Sequence, residues 1–333
     1  MKQSILAAYL GLFISFALSF IYTEPATPEE PPTLSTTAPQ ETIQPTEPPV
    51  VPATAEAPAP ESILVELDGE IQTVDLEEYL VGVVAAEMPA GFEKEALKAQ
   101  AVAARTYTLY CASSAKHAQA QVCTDFNCCQ AWKSREQMAQ NWGDSFEDNY
   151  KKIRSAVYDT ANQFLVYQGQ PVFSAFHSSS AGVTENCGAI WSEMPYLVSV
   201  ASPESEENVP NYTSYVELSP LDFRDTLLHA CPQADFSGAE SEWIGTLSHE
   251  SSGRVDSVML GGVLYSGTRL RQLFSLRSTA FSLEYTGESF LFTVTGFGHG
   301  VGMSQYGANV MASQGSGYTA ILAHYYPGTS LVS

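Results

Sequence analysis

From Ile63 the chain alternates apolar and polar positions. The runs "ILVEL" and "EIQTV" flank Asp68-Gly69, the pattern of two half-buried strands joined by a tight turn. At Asp75 the period changes. Asp75, with Glu78 three residues on, makes a capping-box-like start. Leu76, Leu80, Val83 and Glu87 then recur at spacings of four, three and four, which predicts one face of a helix ending near Glu87. A second, alanine-rich helix is predicted from Glu93 to about Ala115. Leu97, Ala101, Ala104, Thr108 and Cys111 lie near one face of it, a pattern that suits close packing. A helix near Tyr150 to Ala161 leads into the strand "QFLVYQG". Ser219-Pro220 reads as the N-cap and first position of the helix "LDFRDTLLHA". The runs "EWIGTLSHE", "RVDSVML", "FSLEYTG" and "SFLFTVTG" predict antiparallel strands, with the short helix "SGTRLRQLFSL" among them. The fold class expected is α+β, a mixed region of helices and antiparallel sheet with a substrate cleft.

Two stretches before Ser62 obey neither period. Ser4 to Tyr22 carries no charge and, as a helix, would reach roughly 28 Å, about the thickness of a bilayer's hydrocarbon core. It is long for a signal peptide and no clear A-x-A site follows, so residues 1–22 are expected to be a transmembrane anchor rather than a cleaved leader. Lys2 on the short side places the rest outside the cytoplasm. Residues 23–61 hold 11 of the chain's 19 prolines, seven glutamates and no basic residue. Such a composition favours an extended, disordered spacer. Residues 62–333 are left as the folded, catalytic region. The whole chain is therefore expected at a cell membrane, single-pass, with its domain held toward an external target such as the cell wall.

Charge narrows the partners. With 37 acidic and 15 basic residues the net charge is −22, which argues against nucleic acid. No basic patch for polyanionic polymers is evident either. A carbohydrate target would have to be held by hydroxyl and ring contacts.

The candidate chemistry starts with Glu87 in "VVAAEMP". It extends an apolar stripe at the C-terminal end of a helix, and Gly82, Ala85 and Ala86 leave room for another backbone. Burial and the negative helix end both raise a carboxyl pKa, which suits a general acid. A structural glutamate, bonded to a backbone amide or an arginine, is the other possibility. Arg105 and Tyr107 on the second helix are open to a cleft, the core or the surface. His117, Cys123, Cys128 and Cys129 in "KHAQAQVCTDFNCCQ" offer four ligands in thirteen residues, a tetrahedral zinc set of structural type. Outside the cytoplasm a disulfide competes for the same cysteines. Cys187 and Cys231 are candidates to pair, and Cys111 reads as a core thiol. The glycine-rich "GFGHGVGMSQYGA" matches no phosphate loop; His299, Ser304 and Gln305 are its candidates for a sugar site, against a tight turn with no function.

Five segments taken together carry a resemblance: "EEYLVGVVAAEMPAGFEKEALKAQAVAARTY", "FHSSSAGVTE", "RLRQLFSLRSTAF", "GFGHGVGMSQYGA" and "HYYPGTSL". In this order, across residues 62 to 333, they resemble the SpoIID/LytB family of stage II sporulation protein D and its amidase-enhancer branch. The resemblance implies a lytic transglycosylase acting on peptidoglycan glycan strands stripped of stem peptides during sporulation engulfment. It implies partners of the stage II sporulation protein P (SpoIIP) type, an amidase/endopeptidase, with other engulfment membrane proteins. It maps the family's catalytic glutamate onto Glu87, and adds His177, Ser178 and Ser180 to the expected substrate-binding set. It also implies a zinc near His117, although two adjacent cysteines stand where the family pattern has a His-Cys pair. The amidase-enhancer branch implies a second class, a glycan-binding partner that cuts nothing. A zinc hydrolase, or a cysteine peptidase using Cys187 and His299, has less behind it: there is no H-E-x-x-H run and no sign of an activated thiol.

Overall fold

The computed structural model describes residues 59–67, 69–114 and 116–333. The expected anchor and nearly all of the expected spacer lie outside the described residues. No helix among those described is long and apolar enough to cross a membrane. Part of the expected spacer belongs to the fold: Ala59 is buried in the main core, and the Glu61 carbonyl accepts from the amide of Leu76.

The first hairpin forms where the alternation predicts it. Strands β1 (Ser62–Leu67) and β2 (Glu70–Asp75) pair antiparallel, with Ser62 opposite Asp75. Only β1 alternates in burial; β2 is exposed except at half-buried Val74. Helix α1 (Leu76–Glu87) starts where Asp75 accepts from the Glu78 amide at 3.0 Å, and it buries Leu76, Leu80, Val83 and Val84. Helix α2 (Lys94–Ser113) goes further than the one-faced pattern. Leu97, Ala101, Ala104, Thr108 and Cys111 are buried, and so are Ala96, Ala99, Val102 and Ala103 on other faces. It is the central helix of the domain, and its alanines let neighbours come close on every side. The two-residue β3 (Val122–Cys123) runs parallel to β1. Helices α3 (Arg135–Trp142) and α4 (Phe146–Tyr158) follow, and α4 packs on α1 and α2 through Ile153, Ala156 and Val157.

Arg105 on α2 is fully buried. Its Nε donates to Glu77 at 3.0 Å, Nη2 completes the ion pair with the same carboxylate, and Nη1 donates to the Gln163 carbonyl at 3.0 Å. The arginine joins α1, α2 and the start of β4 (Phe164–Tyr167), and it belongs to the core rather than to a cleft.

Strand β4 pairs with β5 (Gln170–Pro171), and the short β6 (Phe176–His177) follows. Cys187, Tyr196 and Leu197 stay in the main core, and the chain then leaves it. Strand β7 (Thr213–Leu218), helix α5 (Pro220–Ala230), strands β8 (Ile244–His249), β9 (Val255–Leu260) and β10 (Val263–Ser266), helix α6 (Gly267–Leu273) and strands β11 (Phe281–Tyr285) and β12 (Phe290–Thr295) build a second core. Its sheets, ordered β11-β12-β7 and β10-β9-β8, are antiparallel. Phe223 stacks on Phe290 at 4.0 Å between ring centroids, and Trp243 stacks on the same ring at 5.4 Å. The excursion closes where it opened: the Gly296 amide donates to the Tyr212 carbonyl at 2.8 Å.

The glycine-rich run returns the chain to the main core. Strand β13 (Met303–Ser304) pairs parallel with β6, helices α7 (Gln305–Ser313) and α8 (Tyr318–Tyr325) cover α2, and β14 (Ser330–Val332) joins β4. The glycines serve chain-to-chain contact here. Gly302 has φ 72°, and a Cβ there would lie 2.0 Å from the Ala175 carbonyl oxygen.

The expected pairing of Cys187 with Cys231 does not occur. Cys187 is buried in the main core and Cys231 packs against the second, and all six cysteines are free. Cys111 is a core thiol as expected.

The burial of Arg105 generates a test. Arg105→Met is expected to leave Glu77 uncompensated and to lower stability by about 3–5 kcal/mol, read by urea denaturation.

Candidate active site

Glu87 is the last residue of α1, and its position depends on Gly82, five residues earlier in the helix. At Gly82 the segment 131–133 crosses the helix so closely that a Cβ would lie 2.2 Å from Trp132 Nε1 and 2.8 Å from the Lys133 carbonyl oxygen. The Lys133 amide donates to the Gly82 carbonyl at 3.1 Å. This crossing brings the Ala131 amide to the Glu87 carboxylate, where it donates to Oε1 at 2.9 Å. Gln305, buried at the first turn of α7, faces the same cleft and favours the anion; its amide nitrogen also donates to Gln100 Oε1 at 3.5 Å. Burial is the largest influence and pushes the carboxyl up from its ordinary value; the Ala131 bond, Gln305 and the charge of Lys133 oppose it in part. No arginine pairs with it among the described residues.

Glu87 opens into a cleft of about 740 Å3. Of the residues expected to bind substrate, Tyr107, His177, Ser178, His299 and Gln305 line it. Tyr107 donates from its hydroxyl to the Cys128 carbonyl at 3.3 Å. His177 is fixed as a neutral ring: Nδ1–H donates to the Val301 carbonyl at 3.2 Å, so Nε2 accepts from the Ser180 hydroxyl at 2.7 Å. Burial holds it well below the usual histidine range, with nearby His299 and Arg254 acting the same way. His299 accepts from the Val301 amide at Nδ1, and burial with the charge of Arg271 lowers its pKa to about 4. Both rings are uncharged at neutral pH.

Three expected residues are not on the cleft. Arg105 lies in the core as described. Ser180 and Ser304 are fully buried beneath the cleft, where both are held by Glu204. That carboxylate accepts from the Ser180 amide at 2.6 Å, the Ser202 hydroxyl at 2.5 Å and the Ser304 hydroxyl at 2.5 Å. Ser304 also caps α7 through the Gly307 amide. Their hydroxyls are spent on the protein, so the two serines shape the floor rather than face a ligand.

Other lining residues have no counterpart in the sequence analysis. Phe126, Trp191 and Phe297 are exposed at the cleft, and Trp191 packs on Phe173 and on His299 at 5.3 and 4.9 Å between ring centroids. Lone aromatics in loops give no periodic signal. Ala131 contributes only its backbone, which no side-chain pattern reveals.

The four expected metal ligands come together. One ligand atom from each of His117, Cys123, Cys128 and Cys129 falls within 4.8 Å of all the others. His117 Nε2 is 3.2 Å from Cys129 Sγ and 3.7 Å from Cys128 Sγ. A tetrahedral zinc, with bonds of about 2.3 Å to sulfur and about 2.0 Å to nitrogen, needs ligand separations of roughly 3.5–3.8 Å, so the donor set fits. Burial pushes the Cys123 thiol up to about 12, and its contact with Cys111 followed by burial does the same for Cys129. A cation would reverse both shifts. The cluster is two residues from Ala131, so the loop that would hold a metal also supplies the Glu87 hydrogen bond.

The fold and site define an α+β protein whose cleft is built on one half-buried carboxylate, two neutral imidazoles and exposed aromatic rings. The family model described as SpoIID, Stage II sporulation protein, matches residues 68–167. Stage II sporulation protein D of Bacillus subtilis (strain 168) is 39% identical over 266 residues, 78% of this chain and 75% of that protein. Stage II sporulation protein D of Bacillus amyloliquefaciens is 36% identical over 285 residues, 84% of this chain and 80% of that protein. The Amidase enhancer of Bacillus subtilis (strain 168) is 28% identical over 305 residues, 76% of this chain and 40% of that protein. The chain belongs to the stage II sporulation protein D family.

Gly82→Ala is expected to force residues 131–133 off α1, costing about 1–3 kcal/mol and breaking the Ala131–Glu87 bond. Thermal denaturation reads the first effect, and the chemical shift of the Ala131 amide reads the second.

Proposed function

We propose that the protein is a peptidoglycan lytic transglycosylase of sporulation, cutting the bond between N-acetylmuramic acid and N-acetylglucosamine in glycan strands. The observation that carries this is the solitary Glu87 on the cleft, raised by burial and, among the described residues, without a second carboxylate lining it. Hydrolysis by the usual route takes two carboxylates. Intramolecular transfer takes one. Protonated Glu87 gives its proton to the glycosidic oxygen as the C1–O bond breaks. The resulting carboxylate accepts the proton of the muramic C6 hydroxyl, and O6 bonds to C1. The product is a 1,6-anhydro end, and the glutamate finishes protonated as it began. The rings of Trp191, Phe126 and Phe297 offer faces on which sugars stack, and the neutral histidines offer hydrogen-bonding edges without charge.

The His117, Cys123, Cys128 and Cys129 set is proposed to hold a structural zinc, which would tie the loop 117–129 together when bound. Three thiolates and a histidine fill a tetrahedron and leave no open position for water. The expected setting is a membrane facing the cell wall, with a wall amidase as working partner. A second reading has its own support in the similarity to an Amidase enhancer: the cleft would bind glycan and the protein would assist an amidase without cutting.

Glu87→Gln is expected to fold and to lose strand cleavage by about 10²–10⁴-fold. Mass spectrometry of digests of peptide-stripped strands checks this: anhydro-muramyl ends from the wild type alone support the enzyme. Intact strands with undiminished amidase stimulation support the second reading.

Acid catalysis needs Glu87 protonated, and its pKa stands above the usual carboxyl value. Activity is therefore expected to persist above that value and to fall as pH rises through the raised pKa, in a pH–rate profile of kcat/KM. Stability follows the same sign. Between the unfolded and folded pKa the native state binds more protons at Glu87, so the stability of wild type relative to Glu87→Gln is expected to fall as pH rises through that range.

Metal removal by a strong chelator is expected to lower Tm and to free reactive thiols in the cluster, both restored by one equivalent of zinc. Titration with a thiol reagent checks it against His117→Ala, which should already show the loosened loop.

A further inference from the structure

Three charged side chains line the cleft: Glu87, Lys116 and Arg271. Lys116 is exposed and its ammonium donates to the Cys128 carbonyl. Arg271, on α6, is half-buried, and its Nε donates to the Leu276 carbonyl at 3.3 Å. No other protein acceptor meets its guanidinium among the described residues, and no carboxylate lies within 4.0 Å. In a chain with 37 acidic and only 15 basic residues, an arginine kept unpaired in a cleft is out of character. Desolvating a cation without a counter-ion is costly.

The neighbourhood does not relieve that cost. His177 and His299 are neutral, and the charge of Arg271 helps to keep them so. Arg254, buried behind Gly300, feels the same repulsion; burial and Arg271 lower its guanidinium to about 10 against the opposing pull of Glu185. Burial likewise pushes Arg271 down. The planar fork that remains free is the geometry that accepts a carboxylate by two parallel hydrogen bonds.

We propose that Arg271 is a specificity-determining residue that takes the carboxylate of an acidic sugar in the cleft. This rests on the glycan reading above. On a peptidoglycan strand that group is the lactyl carboxylate of a muramic residue carrying no stem peptide. An attached peptide converts the carboxylate to an amide, which removes the charge and adds bulk at the same atom. Arg271 thereby reads whether the strand has been stripped.

The test measures binding of the full chain to muramyl glycan oligomers in two forms, free lactyl acid and lactyl methyl ester. A Glu87→Gln background keeps the oligomers intact, and neutral N-acetylglucosamine oligomers are measured alongside. The acid is expected to bind about tenfold more tightly than the ester, and the ratio should shrink as salt rises. Arg271→Gln should bring the ratio to within about twofold, and Arg271→Lys should retain part of it. A ratio unchanged by Arg271→Gln would overturn the assignment. So would equal binding of acid and ester by the protein with Arg271 in place, a result that needs no variant at that position. Failure to bind all three ligands, the neutral oligomers included, would instead overturn the glycan reading itself.

Discussion

The site depends on the close crossing of residues 131–133 over α1 at Gly82. Any side chain at that position would collide with Trp132 and with the Lys133 backbone. Because nothing stands there, an amide from a distant loop reaches the end of the helix and fixes the rotamer of Glu87. The same loop carries the thiols of Cys123, Cys128 and Cys129, so whatever orders the cluster also orders the Glu87 hydrogen bond. One approach distance thus connects the core of the first helix, the candidate metal site and the carboxylate.

Beneath the cleft a second device works by charge. Glu204 gathers the Ser180 amide with the hydroxyls of Ser202 and Ser304, from three separate segments, and has no cationic partner within 4.0 Å among the described residues. The carboxylate is held chiefly by its donors, with the more distant charge of Arg254 adding to them. Ser180 then donates to His177, so the chain of contacts runs from the buried acid to the ring that faces the cleft. The charge sits below, and the surface offered to a ligand is neutral apart from Glu87 and the two cations.

Periodicity made the hairpin and the first helix legible, because their caps and apolar spacing are local. Asp75 caps as its spacing with Glu78 predicts, and Ser219 does the same for α5. The four metal-ligand candidates were legible for the same reason, being close in sequence as well as in space. Arg105 was not. Its neighbours in the helix say nothing of Glu77 and Gln163, which decide its fate across the fold. The short elements β6 and β13, two residues each, exist only because the glycine run lies against 175–180, and no window of sequence contains both partners. Ser180, expected from the resemblance, and Ser304, expected from its place in the glycine-rich run, looked like sugar ligands because a small hydroxyl looks alike in sequence whether it faces water or a hidden carboxylate. Glu204, inside the acidic run "SPESEEN", had every appearance of a solvated charge.

A single carboxylate that must give and then take back a proton needs an environment that tolerates both of its states. A wholly apolar pocket would hold it protonated and make it a poor acceptor. A strong ion pair would hold it ionised and make it a poor donor. Glu87 has neither: burial favours the acid, while one amide, Gln305 and the more distant charge of Lys133 support the anion without a direct contact to a cation. Lys133 spends its own ammonium near the Ala85 carbonyl, 3.5 Å away, which keeps its charge close but off the carboxylate. The balance between those influences, rather than the raised pKa alone, is what would fit the residue to both halves of the proposed internal transfer.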